Sequence, residues 1–65
     1  MKLKVAEIKR EMAMKEMTGR MLAKKTGLSY TGVSSILQRG SCSIPSAGKI
    51  ARALGVDLET IMEEE

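Results

Sequence analysis

The stretch TGRMLAKKTGLSYTGVSSIL, residues 18–37, decides the fold. Thr18 suits a helix N-cap, where a short side-chain oxygen takes up a free backbone N–H. From Gly19 to Thr26, Leu22 and Ala23, with Met21 beside them, make the buried face of a short helix. Lys24 and Lys25 stand in its last turn, where the helix dipole favours cations. Gly27 is the expected left-handed stop. After Leu28, Ser29 caps a further helix that reaches about Gln38, with Val33, Ile36 and Leu37 inward. Helices joined by so tight a turn must approach closely, and the small Ala23 sits where they do. Leu28 plugs the turn into the core, while Val33 and Ile36 hold the second helix of the pair against the first.

Outward from this joint the same helical spacing continues. A first helix is expected from about Leu3 to Met14, with Val5, Ile8 and Met12 on one face. Glu11 and Lys15 form a favourable i,i+4 pair there, and Glu7 and Glu11 an unfavourable one. Gly40-Ser41-Cys42-Ser43 reads as a loop. Ser43 caps a fourth helix with Pro45 in its first turn, where a missing N–H costs little. That helix runs through Ile50, Ala51 and Leu54 to Gly55. Asp57 caps a short fifth helix carrying Leu58, Ile61 and Met62. Period-two alternation never lasts more than a few residues, so no sheet is expected. The 65 residues amount to one domain, 1–65, an all-α fold built as a compact five-helix bundle. The six methionines are expected to fill gaps in a core that has no Phe.

Composition removes whole classes of chemistry. The chain has no His and no Trp, a single Cys (Cys42) and a single Asp (Asp57). A Ser/His/Asp triad, a Cys/His dyad and a Cys/His zinc site are excluded. With no nucleophile–base pair, phosphate-cradling Gly motif or metal-ligand set, the chain is expected to be no enzyme and to need no cofactor. One Cys allows no internal disulfide, which suits a reducing compartment. No apolar run approaches the roughly 18 residues of a membrane span, so a soluble cytoplasmic protein is expected. Charge is strongly polarised: residues 1–56 sum to +8, while residues 57–65 sum to −5. A basic body with an acidic end points to a polyanion partner, the end turned away from it. The single aromatic, Tyr30, cannot build a stacking platform for single-stranded nucleic acid.

The joint has the pattern of a helix-turn-helix. LAKKTGLS (22–29) and KIARALGVDLETIM (49–62) make nearly the whole chain resemble the Cro/CI (XRE) class of five-helix, lambda repressor-like DNA-binding domains of phages and bacteria. The resemblance implies a double-stranded DNA partner and a phage or bacterial intracellular setting. Tyr30, Thr31 and Ser35 match the family's main base-reading positions. Four features depart from the pattern, one being a loop at residues 40–43 without the basic residues such loops often have. Gly19 stands where the family often has a Gln that touches a phosphate and braces the reading helix. Thr26 replaces a larger apolar residue, and the link between Met12 and Thr18 is longer than usual.

A recognition helix enters the major groove N-terminus first. On the helix at 29–38, Tyr30, Thr31, Ser34, Ser35 and Gln38 point away from the inward set and are the candidate base readers. Gln suits adenine, and Ser or Thr suits several bases. Phosphate contacts are expected at the helix N-termini, Thr18 and Ser29, with Arg20, Lys24, Arg39 and Ser41 nearby. Lys2 and Lys4 are candidates for a DNA-binding arm. Gly32 costs roughly 1 kcal/mol against Ala in a helix and reads as either a close approach to the groove or simple tolerance. Cys42 reads as packing or as a redox switch beside the DNA face. One reading helix covers too few base pairs for specificity, so a homodimeric repressor is expected, with Leu58, Ile61 and above all Met62 as its candidate interface, Leu58 and Ile61 reading also as closure of the monomer core. No small-molecule ligand is indicated. The alternative is a protein-interaction or antitoxin-like module on the same fold, engaging a partner through its acidic end or Met-rich first helix.

Overall fold

The computed structural model describes residues 1–63; the expectation for an acidic end falls partly on Glu64 and Glu65, outside the described residues. Five helices follow in order: α1 Val5–Met14, α2 Gly19–Thr26, α3 Tyr30–Arg39, α4 Ile44–Leu54 and α5 Leu58–Ile61. Three of the helix starts are capped as their residues dictate. The hydroxyls of Thr18, Ser29 and Ser43 accept from the backbone N–H of Met21, Gly32 and Ser46. Asp57 occupies the N-cap position of α5, but its side chain makes no capping bond. Gly27, at φ 77°, turns the chain between α2 and α3, and Gly40 and Gly55 close α3 and α4 in the same left-handed way.

The core gathers Ile8, Leu22, Val33, Ile50, Leu54 and Ile61, all essentially without solvent exposure. α2 packs against both α3 and α4, and α4 also backs α1 and α5. Met12 and Met17 join this core. Met14 (67% exposed) and Met21 (44%) do not, so gap-filling accounts for only part of the methionine content. Met17 lies in the α1–α2 link, where Glu16 adopts a positive φ of 51° and drops the next side chain inward. Because α1 runs on to Met14, the link to Gly19 is only residues 15–18, an ordinary length.

The chain start departs from the expected helix. Met1 to Lys4 run extended between two other segments. Leu3 N–H donates to Gly40 O (2.8 Å) and Cys42 N–H to Met1 O (3.1 Å) on one side. On the other, Lys4 N–H donates to Ile61 O (2.7 Å) and Glu63 N–H to Lys2 O (2.9 Å). Leu3, only 3% exposed, is driven into the core, and α1 therefore begins at Val5. A segment bonded on both sides cannot act as a free DNA-binding arm, which corrects the expectation for Lys2 and Lys4. Their side chains stay exposed, but their backbone belongs to the fold.

Candidate nucleic-acid interface

The site is built by the α2–turn–α3 unit. Thr26, the last residue of α2, is buried. Its Oγ1 donates to Ala23 O (3.0 Å) and accepts from Leu28 N–H (3.3 Å). A hydroxyl thus ties the end of α2 to the turn, which explains a polar residue where a larger apolar one is usual. Leu28 packs against the core, fixing the angle at which α3 leaves the turn.

On α3, Val33 and Ile36 are buried. Thr31, Ser35 and Gln38 lie at i, i+4 and i+7 on the opposite stripe, Thr31 and Gln38 exposed and Ser35 half-buried. The structure brings these three together. Tyr30 and Ser34 fall on the flanking stripe, which faces α1 across a groove of about 350 Å³ that Lys9, Ala13 and Leu37 also line. Ser34 is half-buried there, one turn beyond Thr31 at the edge of the same outer face.

Tyr30 is held from two sides. Its ring lies against the start of α2, where a β-carbon added to Gly19 would stand 3.2 Å from Tyr30 Cε1. The guanidinium carbon of Arg20 sits 4.7 Å from the ring centroid, a cation–π contact. Gly19 therefore does not leave the bracing position empty; it opens a slot that Tyr30 fills from α3. The signal for this was a glycine in the first turn of a helix, placed among residues that favour helix better.

Gly32 has a reason that neither sequence reading supplied. A β-carbon there would meet Ser29 Oγ, the capping oxygen, at 3.0 Å. Glycine lets that hydroxyl reach Gly32 N–H, also 3.0 Å away.

The candidate phosphate groups spread around this unit. Thr18 and Ser29 are exposed caps, Lys24 lies one turn beyond Arg20 on α2, and Arg39 is exposed in the last turn of α3. Among the described residues, only Arg10 and Lys15 pair with carboxylates, Glu7 and Glu11 respectively. Arg20, Lys24 and Arg39 are free of intramolecular ion pairs there. Ser41 is half-buried and bridged to Lys2, so it is less open than its neighbours. Cys42 is half-buried beside the chain start. Desolvation pushes its thiol pKa up, and the Met1 ammonium and Arg39 only partly oppose this. That is the signature of a packing thiol rather than an activated one.

Further from the polar stripe of α3, Lys25, Lys49 and Arg52 surround a concavity of about 420 Å³ between the end of α2 and α4. On α5, Ile61 is fully buried and shut inside the monomer, so it cannot serve as an interface residue. Leu58 and Met62 are half-buried, whereas Ile44 (66% exposed), Met14 and Met21 are open apolar side chains. No group of three or more His, Cys, Asp or Glu suited to a metal occurs among the described residues. No helix among them is long and apolar enough to cross a membrane.

Two tightly joined helices, the second presenting a polar outer stripe, define a helix-turn-helix protein. A family profile for the Cro/C1-type HTH DNA-binding domain matches residues 7–65, and the chain belongs to that family. No curated protein and no solved structure matches the chain significantly.

Proposed function

We propose that residues 1–65 act as one domain, a sequence-specific double-stranded DNA-binding transcriptional regulator of the repressor type. In this reading α3 enters the major groove N-terminus first. Thr31, Ser35 and Gln38 face base edges, with Tyr30 and Ser34 at their flank. Thr18, Arg20, Lys24, Ser29 and Arg39 hold the phosphates on either side, and Ser41 lies at the margin. The observation that carries the reading is the stripe of Thr31, Ser35 and Gln38, opposite buried Val33 and Ile36 and beside two capped helix N-termini. Free N–H groups and the dipole at those termini suit phosphate oxygens.

A single α3 reads too few base pairs to select a site, so the working form is a homodimer. Leu58 and Met62 are its proposed contact residues. Half-sites then lie roughly 34 Å apart, one turn of duplex. The setting is the cytoplasm of a bacterium.

Selection of bound duplexes from a randomised pool, followed by salt titration on the recovered site, tests this. A two-fold symmetric motif with half-sites about one turn apart is expected. The log–log salt slope should be near −0.9 for each phosphate neutralised. Ser35→Arg should change the recovered motif. Negligible duplex affinity at low salt would overturn the reading in favour of a protein-interaction module.

A further inference from the structure

The sequence alone places Tyr30 among the base readers, but its surroundings assign it other work. We infer that Tyr30 is a positioning residue: its ring, seated in the slot left by Gly19, holds the Arg20 guanidinium in place for a DNA phosphate. The inference rests on the DNA-binding reading above and deepens it.

Three observations converge on this geometry. Arg20 Cζ lies over the face of the Tyr30 ring, 4.7 Å from its centroid. A guanidinium held over a ring keeps N–H edges free, and those edges are what a phosphate takes up. Arg20 has no carboxylate partner among the described residues, so nothing there competes for those edges. Finally, the ring can lie this close to α2 only because residue 19 lacks a side chain, since a β-carbon would come within 3.2 Å of it. Gly19, Arg20 and Tyr30 thus form one unit spanning α2 and α3. An unrestrained arginine would have to give up the freedom of several rotatable bonds on binding, whereas the stack holds it beforehand. The unit also couples the phosphate grip to the placement of α3, because the ring belongs to the helix that carries Thr31 and Ser35.

The roles separate by what each variant changes. Arg20→Ala is expected to weaken binding to every sequence alike, on the order of ten-fold, and to lower the salt slope by about one. Tyr30→Ala should reproduce both effects in part and leave the recovered DNA motif unchanged. Tyr30→Phe, which keeps the ring face, should bind as the parent does. The double variant should bind no more weakly than Arg20→Ala alone, because the ring acts through the arginine. Gly19→Ala should hold or raise the thermal midpoint, since Ala favours helix, yet weaken binding by crowding the ring.

The stack can also be read without DNA. The Arg20 side-chain protons should show upfield ring-current shifts in the free protein, and Tyr30→Ala should abolish them. Tyr30 is the only aromatic residue in the chain, so no other ring can cause such shifts. Absence of the shifts overturns the inference at once. A Tyr30→Ala motif altered at one base position, with losses additive to those of Arg20→Ala, also overturns it and makes Tyr30 a base reader. That second result leaves the DNA-binding function standing. If the shifts are present but the parent protein binds no duplex, the function itself fails and this role with it.

Discussion

Leu3→Ala gives the sharpest test of the structural argument. Leu3 is 3% exposed and sits in the extended segment bonded to Gly40 on one side and, through Lys2 and Lys4, to Glu63 and Ile61 on the other. Truncating a buried leucine to alanine costs about 2–5 kcal/mol, the spread reflecting how far the cavity collapses. Leu3 lies at the end of the core, where the segment can settle inward, so a loss of about 3 kcal/mol is expected. A domain of this length holds roughly 3–10 kcal/mol in total, so the substitution removes a third or more of its stability. At about 4–8 °C per kcal/mol, the thermal midpoint should fall by roughly 12–24 °C. Circular dichroism at 222 nm would follow this (roughly the usual helix band), with urea unfolding as the check on a two-state transition. Duplex affinity, measured well below the new midpoint, should be unchanged. A fall of less than about 4 °C would show that residues 1–4 fray away from the bundle. That result would restore the arm that Lys2 and Lys4 suggest.

Thr26→Val keeps the shape but removes the hydroxyl. Ala23 O stays satisfied by Gly27 N–H, and only Leu28 N–H loses its acceptor. The expected net loss is about 1 kcal/mol, the cost of one half-buried orphaned donor less the gain from the extra methyl; a variant as stable as the parent in urea would refute the tie. Gly32→Ala should be close to neutral, because about 1 kcal/mol of helix propensity is offset by a similar loss at the crowded Ser29 cap. A gain approaching 1 kcal/mol in urea unfolding would show that the cap does not depend on glycine. Cys42 should be alkylated by iodoacetamide several-fold more slowly than a small free thiol at mildly alkaline pH, since desolvation keeps its neutral form favoured; a rate equal to the free thiol would mean the site is open.

Much of this was legible because it rests on local rules. Caps at Thr18, Ser29 and Ser43 and stops at Gly27, Gly40 and Gly55 are decided within a few residues of backbone. Helical spacing then settles which of Leu22, Val33, Ile50 and Leu54 face inward. Apart from Asp57, whose side chain makes no capping bond, the misreadings are non-local. Leu3 was assigned to a helix because spacing cannot show that a backbone has ladder partners at Gly40 and Ile61. Ile61 looked available to a second chain because an apolar residue on a short helix reads the same whether its own core covers it or not. Composition places all six methionines in the core, but which side of its helix each occupies against the packed bundle leaves Met14 and Met21 exposed.

By itself, then, the sequence determined the number and order of the helices, the tight joint, the family resemblance and an outward set of Tyr30, Thr31, Ser34, Ser35 and Gln38 on the third helix. The helices, the joint and the outward set follow from propensity, capping and periodicity acting along the chain, while the family rests on resemblance in LAKKTGLS (22–29) and KIARALGVDLETIM (49–62). Only the tertiary structure decided that the first four residues belong to the fold, that Ser34 turns toward α1, and that Tyr30 lies between Gly19 and Arg20. Those outcomes depend on the angle between helices and on contacts between residues far apart in the chain. The ring of Tyr30 meets Gly19 across eleven positions of sequence, and no local rule reaches that far.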